Sequence, residues 1–155
     1  MDLLTAHFWT SIGVAVLCGG IIGLERQIRG KPAGIRTNIL ICLGTTIFIQ
    51  LSTILQGPNV DPTRVLGQVV TGIGFLGAGV IIARGRHVKG VTSAAVIWTL
   101  AGIGAMIGFG LFIPAIALAV VTVVILTSLE FLETNIHWLR RGEHAPDGGS
   151  GSREE

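Results

Sequence analysis

Charge is scarce in this chain. Asp, Glu, Lys and Arg make up 13% of its 155 residues, about half of what a soluble domain carries, and residues 92–129 contain no carboxylate. With a hydrophobic share of 50% and a mean hydropathy of +0.72, the composition excludes an ordinary soluble fold. Cysteine is nearly absent. Cys18 and Cys42 make neither a disulfide framework nor a zinc site, and both lie in apolar runs, where they read as small packing residues. No basic residue precedes Arg26, so the N-terminus lacks the basic segment of a secretory signal and the first apolar run is expected to stay in the mature protein. No basic stripe points to nucleic acid. His7, His87, His137 and His144 fall at ends or in loops, without the H-E-x-x-H spacing of a zinc helix. No Ser/His/Asp or Cys/His nucleophile arrangement is present, and no catalysis is expected.

What the chain has in excess is glycine, 23 residues, set inside apolar runs as in closely packed membrane helices. Five runs are long enough to cross a hydrocarbon core of ~30 Å at ~1.5 Å per residue. They cover about Ala6 to Leu24, Asn38 to Leu55, Val65 to Ala83, Ser93 to Ile107 and Leu111 to Leu129. None shows the alternation of a barrel strand, so each is read as a helix. Residues 1–140 form the transmembrane domain and 141–155, rich in Gly, Ser and charge, a flexible tail. Glu130 to His144 mixes Phe131, Leu132, Ile136, Trp138 and Leu139 with charges; it reads equally as a helix on the membrane face or as an extension of the last span.

Basic residues alternate between the breaks. Arg26, Arg29, Lys31 and Arg36 crowd the first, Arg64 is alone in the second, Arg84, Arg86 and Lys89 mark the third, Phe109-Gly110 has none, and Arg140 and Arg141 follow the last run. The positive-inside rule places the Arg26 and Arg84 loops and the C-terminus in the cytoplasm. The N-terminus and the Asp61 loop then face outside. The fold class expected is an all-α polytopic bundle of about five transmembrane helices.

Gly72, Gly74 and Gly77 match G-x-G-x-x-G, but an apolar run of spanning length is not the strand–turn–helix that a dinucleotide site needs. Helical spacing gives more. Gly67, Thr71, Gly74 and Ala78 line one face, with Gly77 nearby, so the third helix is expected at the centre of the bundle. Gly19 with Gly23 and Gly104 with Gly108 offer matching small faces on the first and fourth helices. Asp61-Pro62-Thr63-Arg64 reads as a helix start capped by Asp61; the alternative is an external cation entrance to which Asp61 contributes a metal ligand. Glu25 opposes the dipole at a helix end and should pair with Arg29 or Arg36. Gln50, Gln68, Thr45, Thr46, Thr71, Thr92 and Thr99 are expected to make interhelical hydrogen bonds, Gln68 being the best candidate to line a pathway. Glu25 and Asp61 should lie on opposite sides of the membrane.

Gly23-Leu24-Glu25-Arg26-Gln27, Ala33-Gly34-Ile35-Arg36-Thr37-Asn38, Asp61-Pro62 with Arg64, the Gln68–Ile81 segment, and Val88-Lys89-Gly90-Val91-Thr92-Ser93-Ala94-Ala95 followed by Trp98 resemble the MgtC/SapB membrane family. The resemblance covers roughly residues 10 to 130. It implies a bacterial inner-membrane protein linked to growth or survival in low magnesium, with Mg²⁺ as ligand or signal. It also implies a membrane partner such as the membrane sector of the F-type ATP synthase. Well-known virulence members add a soluble cytoplasmic domain after the last helix, which this sequence does not carry. They also differ at Arg84, Thr92 and Thr99, to which no role is transferred.

The polar cluster expected to matter is Glu25, Arg26, Arg36, Asn38, Asp61, Arg64 and Gln68. Two functions are open: a regulator or accessory working through helix contacts, as a homodimer or higher oligomer in the bilayer, and a transporter or channel subunit for magnesium or another divalent cation. The lack of a mid-membrane carboxylate favours the first.

Overall fold

The computed structural model describes residues 6–54, 61–84 and 87–135. They form five helices, α1 (Ala6–Ile28), α2 (Ile35–Ile54), α3 (Pro62–Gly79), α4 (Val91–Gly108) and α5 (Phe112–Asn135), with two short strands, β1 (Ile82–Arg84) and β2 (His87–Lys89), between α3 and α4. Four helices are long and apolar enough to cross a membrane: α1, α2, α4 and α5 over Phe112–Leu129. The protein is thus a polytopic helical membrane protein. α3 has the same length as α4, 18 residues, but Arg64, Gln68 and its glycines dilute its hydropathy and it is not among the four.

α2 lies between two glycine faces. A Cβ on Gly19 would fall 2.7 Å from Ile39 Cα, and one on Gly23 2.6 Å from Ile35 Cα, so α1 packs antiparallel against the start of α2 with backbones nearly touching. On α4, a Cβ at Gly104 would meet the Cys42 carbonyl at 2.6 Å and one at Gly108 would meet Ile49 Cβ at 2.6 Å, which sets α4 parallel to α2. The two small faces therefore both serve α2 and do not match each other. The buried core follows the same seam, with Ile22, Ile49, Ile97, Leu100, Ile103 and Ile107 fully enclosed. In lipid this close packing, rather than escape from water, holds helices together. The centre of the bundle is accordingly α2 and α4, not α3. Among the described residues of α3 only Ile73 and Gly77 are buried, and a Cβ on Gly77 would lie 3.7 Å from Ala94 near the start of α4. α3 hence runs antiparallel to α4 and α2.

The connections follow from local chemistry. α1 continues past the expected end to Ile28, then closes with Gly30 at φ +62°; the Lys31 N–H bonds the Arg26 carbonyl at 2.9 Å and Gly30 that of Gln27 at 3.1 Å, a Schellman motif. α3 stops at Gly79, short of the expected Ala83, because the chain turns into an antiparallel hairpin pairing Ile82 with Lys89, Ala83 with Val88 and Arg84 with His87. Gly90, at φ +92°, joins the hairpin to α4 where any Cβ would strike the Val80 carbonyl. Gly110, at φ +82°, turns the chain into α5, whose Phe112 ring stands 5.3 Å from that of His7.

The chain divides into two compact units, residues 1–123 and 124–155. In the first, α5 buries Ala115 and Ala119 and exposes Ile113, Val120 and Val121. In the second, α5 continues as helix to Asn135. The expected boundary at residue 140, the tail 141–155 and most of the proposed surface helix lie outside the described residues.

Candidate functional site

The sequence-predicted polar residues separate into two groups at opposite ends of the bundle. At the end where α1 stops and α2 starts, Glu25 and Arg26 are buried side by side. Arg29 Nε lies 2.7 Å from Glu25 Oε1, the i+4 pair expected, and Arg26 Nη1 lies 3.5 Å from Oε2. Neither contact is an aligned hydrogen bond, so the carboxylate meets its partners chiefly as charge against charge. Asn38 is fully buried. Its amide donates to the carbonyls of Ala33 at 2.6 Å and Gly34 at 3.1 Å, which holds Ala33 in its left-handed conformation at φ +60°. Arg26 Nε and Asn38 Oδ1 are buried without a hydrogen-bond partner among the described residues. Arg36 is exposed in the first turn of α2.

At the other end, Asp61 caps α3. Its carboxylate accepts from the Thr63 N–H at 2.9 Å and the Thr63 hydroxyl at 2.7 Å. These two bonds hold the Asp61 carboxyl below the usual carboxylate range, and the charge of Arg64 adds to the effect. Asp61 and Arg64 are exposed. No group of three His, Cys, Asp or Glu side chains among the described residues could hold a metal ion. Asp61 is a lone carboxylate already committed as a cap.

Between the two ends, the buried face of α2 sets polar Asn38, Thr45, Thr46, Gln50 and Ser52 among apolar Ile41, Cys42 and Ile49. Two of these bond across helices. Thr46 Oγ1 donates to the Gly104 carbonyl at 3.0 Å and Gln50 Nε2 to Ser11 Oγ at 2.7 Å, while Gln50 Oε1 has no partner among the described residues. Thr71 and Thr99 instead bond back to their own helices. Ser11 was not singled out in the sequence, although it opens the small-residue stripe Ser11, Ala15, Cys18, Gly19, Gly23 along the buried side of α1.

α3 presents two opposite faces. One, with Val65, Gln68, Val69, Gly72 and Leu76, forms a groove against α2, whose wall includes Thr37, Leu40, Gly44, Thr45 and Phe48; its volume is about 580 Å³. Gln68 thus lines an apolar groove and not a polar channel. The other face carries Gly67, Thr71, Gly74 and Ala78, all exposed. A Cβ at Gly67 or Gly74 would meet no atom within 4 Å. The face that the sequence marks for close packing has no neighbour at Gly67 or Gly74 among the described residues.

The model of the MgtC family matches residues 12–135. Among curated relatives, the "Protein MgtC" of Brucella abortus (strain 2308) is 41% identical over 146 residues, covering 91% of this chain and 60% of that protein. The "Putative magnesium transporter YhiD" of Escherichia coli (strain K12) is 42% identical over 130 residues, 79% of this chain and 60% of its own length. The "Protein MgtC" of Salmonella typhimurium (strain LT2) is 47% identical over 107 residues, 69% of this chain and 46% of its own. The chain therefore spans about half to 60% of the length of these relatives. No solved structure matches it. Apolar spanning helices and a family match over most of its length make this chain a multi-pass bacterial membrane protein of the MgtC family.

Proposed function

We propose that this chain is an inner-membrane regulator or accessory in magnesium-linked adaptation, acting through helix contacts with another membrane protein and with copies of itself. The observation that carries this reading is the open face of α3. Gly67, Thr71, Gly74 and Ala78 form a small-residue surface at helical spacing, exposed along a helix that is not among the four long and apolar enough to cross a membrane. Such faces let a second backbone approach closely. The magnesium connection draws on the family and on the name of the Escherichia coli relative. The commitment of Glu25 to Arg29 and Arg26, and of Asp61 to its cap, supports structural work for both carboxylates over cation carriage.

The deciding experiment is magnesium flux into proteoliposomes holding the folded protein, read by an internal Mg²⁺-sensitive dye with a known magnesium channel as control. No uptake is expected. Saturable uptake abolished by Asp61→Asn would overturn the proposal in favour of the second reading, a divalent-cation transporter subunit with exposed Asp61 at its entrance. The oligomer is tested by Gly74→Leu, which has open space in the monomer and should shift the assembled protein to a smaller species; an unchanged oligomer refutes contact through this face.

A further inference from the structure

We infer that the groove between α2 and α3 is a binding site for one acyl chain of an anionic glycerophospholipid, with its headgroup held at the start of α2. Three independent features converge there.

The first is dimension. On α2 the groove wall runs from Thr37 to Phe48, which at ~1.5 Å per residue is about 16 Å. That matches the depth of a single leaflet, half of a hydrocarbon core of ~30 Å. The groove thus takes a chain entering from one face of the membrane and ending near the midplane.

The second is lining. Leu40, Phe48 and Val69 supply apolar walls, while Gly44 and Gly72 leave the space between them empty: a Cβ at either would meet nothing within 4 Å. By contrast, at Gly19, Gly23, Gly104 and Gly108 on α1 and α4, α2 atoms leave no room for a Cβ. Here small residues make room that this chain does not occupy. The face of α3 proposed above for protein contact points the opposite way, so the two sites do not compete.

The third is charge. The groove opens at Thr37, in the first turn of α2. Among the described residues, the Ile35 N–H is taken by Gln27 Oε1 at 3.3 Å and the Asn38 N–H by the Gly34 carbonyl at 3.1 Å, while the N–H groups of Arg36 and Thr37 between them make no hydrogen bond. Free N–H groups at a helix N-terminus favour an anion. Exposed Arg36 adds a full positive charge beside them, and this loop is the basic one that the positive-inside rule assigns to the cytoplasmic leaflet, where anionic lipids attract basic segments. A phosphodiester headgroup at Arg36 and Thr37 places its acyl chain at the mouth of the groove.

The test uses the purified full chain in vesicles containing spin-labelled phosphatidylglycerol or, separately, spin-labelled phosphatidylcholine, with the motionally restricted fraction read by EPR. The wild-type protein should hold phosphatidylglycerol about fivefold more strongly, the gain that one basic side chain makes beside anionic lipid. Arg36→Gln should erase that preference while leaving chain immobilisation in place. Gly44→Leu and Gly72→Leu, from opposite walls, should each remove one immobilised chain per protomer with helicity unchanged. Equal retention of the two lipids by wild-type protein overturns the headgroup assignment. An unaltered restricted fraction in a folded Gly44→Leu or Gly72→Leu variant overturns the groove, as does a loss of oligomer in those variants with lipid unchanged, which would assign the groove to a second copy. Failure here leaves the magnesium-flux result standing, because neither readout depends on the other.

Discussion

One added methyl group at Gly104 should loosen this protein where the same change two residues earlier does not. In Gly104→Ala, the new Cβ would sit 2.6 Å from the Cys42 carbonyl oxygen and 2.9 Å from Thr45 Cβ. Restoring ordinary contact at 3.4 Å requires α4 to retreat from α2 by about 0.8 Å (3.4 − 2.6). The atoms in the way are backbone and a branched Cβ, which cannot rotate aside. Overpacking of this kind costs ~1–3 kcal/mol. The retreat also stretches the 3.0 Å bond from Thr46 Oγ1 to the Gly104 carbonyl, and interhelical hydrogen bonds in membranes average ~0.6 kcal/mol. Against this stands the better helix propensity of alanine, up to ~1 kcal/mol. The net expectation is a loss of ~0.5–2.5 kcal/mol. Gly102→Ala is the control: Gly102 is on the same helix, exposed, with no atom within 4 Å of its Cβ position, so it should be neutral or slightly stabilising. Reversible unfolding in detergent micelles titrated with SDS measures both. Agreement of the two variants to within ~0.5 kcal/mol would refute the reading that α2 and α4 are in backbone contact.

Further expectations concern the two polar ends. Glu25→Gln leaves Arg26 buried beside a neutral partner and should lower stability by on the order of 3 kcal/mol, whereas Glu25→Gln with Arg26→Gln should recover part of it; the same SDS titration reports both, and an additive double variant counts against the pair. Asn38→Ala removes both donors to the 33–34 backbone and should cost ~1–2 kcal/mol, read also as faster proteolysis of the loop 29–34; unchanged cleavage would show that the clamp is not needed. Asp61 has its carboxyl lowered by bonds from Thr63, so its contribution is complete above the ordinary carboxylate value of ~3.9 and is lost as pH falls through the lower folded value. Asp61→Asn should therefore flatten the acid limb of stability below ~pH 4; a limb identical to wild type assigns it to other groups.

Sequence and structure agree most where the chemistry is local. The existence of the five helices follows apolar length, the Asp61 cap follows from Asp-Pro-Thr at a helix start, and the Glu25–Arg29 pair follows from i+4 spacing beside the dipole. The placement of α3 was not legible in the same way. Small-residue spacing says that a helix can be closely approached, not by which neighbour. The richest such stripe, Gly67 to Ala78, stays open, while the shorter Gly19–Gly23 and Gly104–Gly108 pairs receive α2. The hairpin was hidden because Ile81, Ile82 and Ala83 extend the apolar run of α3, and length alone does not separate a helix end from a strand start. A signal existed: β-branched Ile82 and Val88 flank a short basic stretch containing Gly85. The groove lay beyond sequence reasoning altogether, since it depends on which side of α2 is left after α1 and α4 have taken theirs.

The backbone contacts at Gly19, Gly23, Gly104 and Gly108 also fix what in this bundle can move. With no room for even a Cβ where α1 and α4 meet α2 at these glycines, sliding or rotation between the three helices meets collision, so they behave as a single keel. α3 has no such lock along α2: the Asp61 cap bonds only α3's own first turn, and the hairpin and the Gly77–Ala94 contact hold its other end to α4. Any event felt at the hairpin, which joins α3 to α4, reaches α3 as a tilt against an immobile wall, and the width of the space beside Gly44 and Gly72 becomes the coordinate along which that tilt is measured.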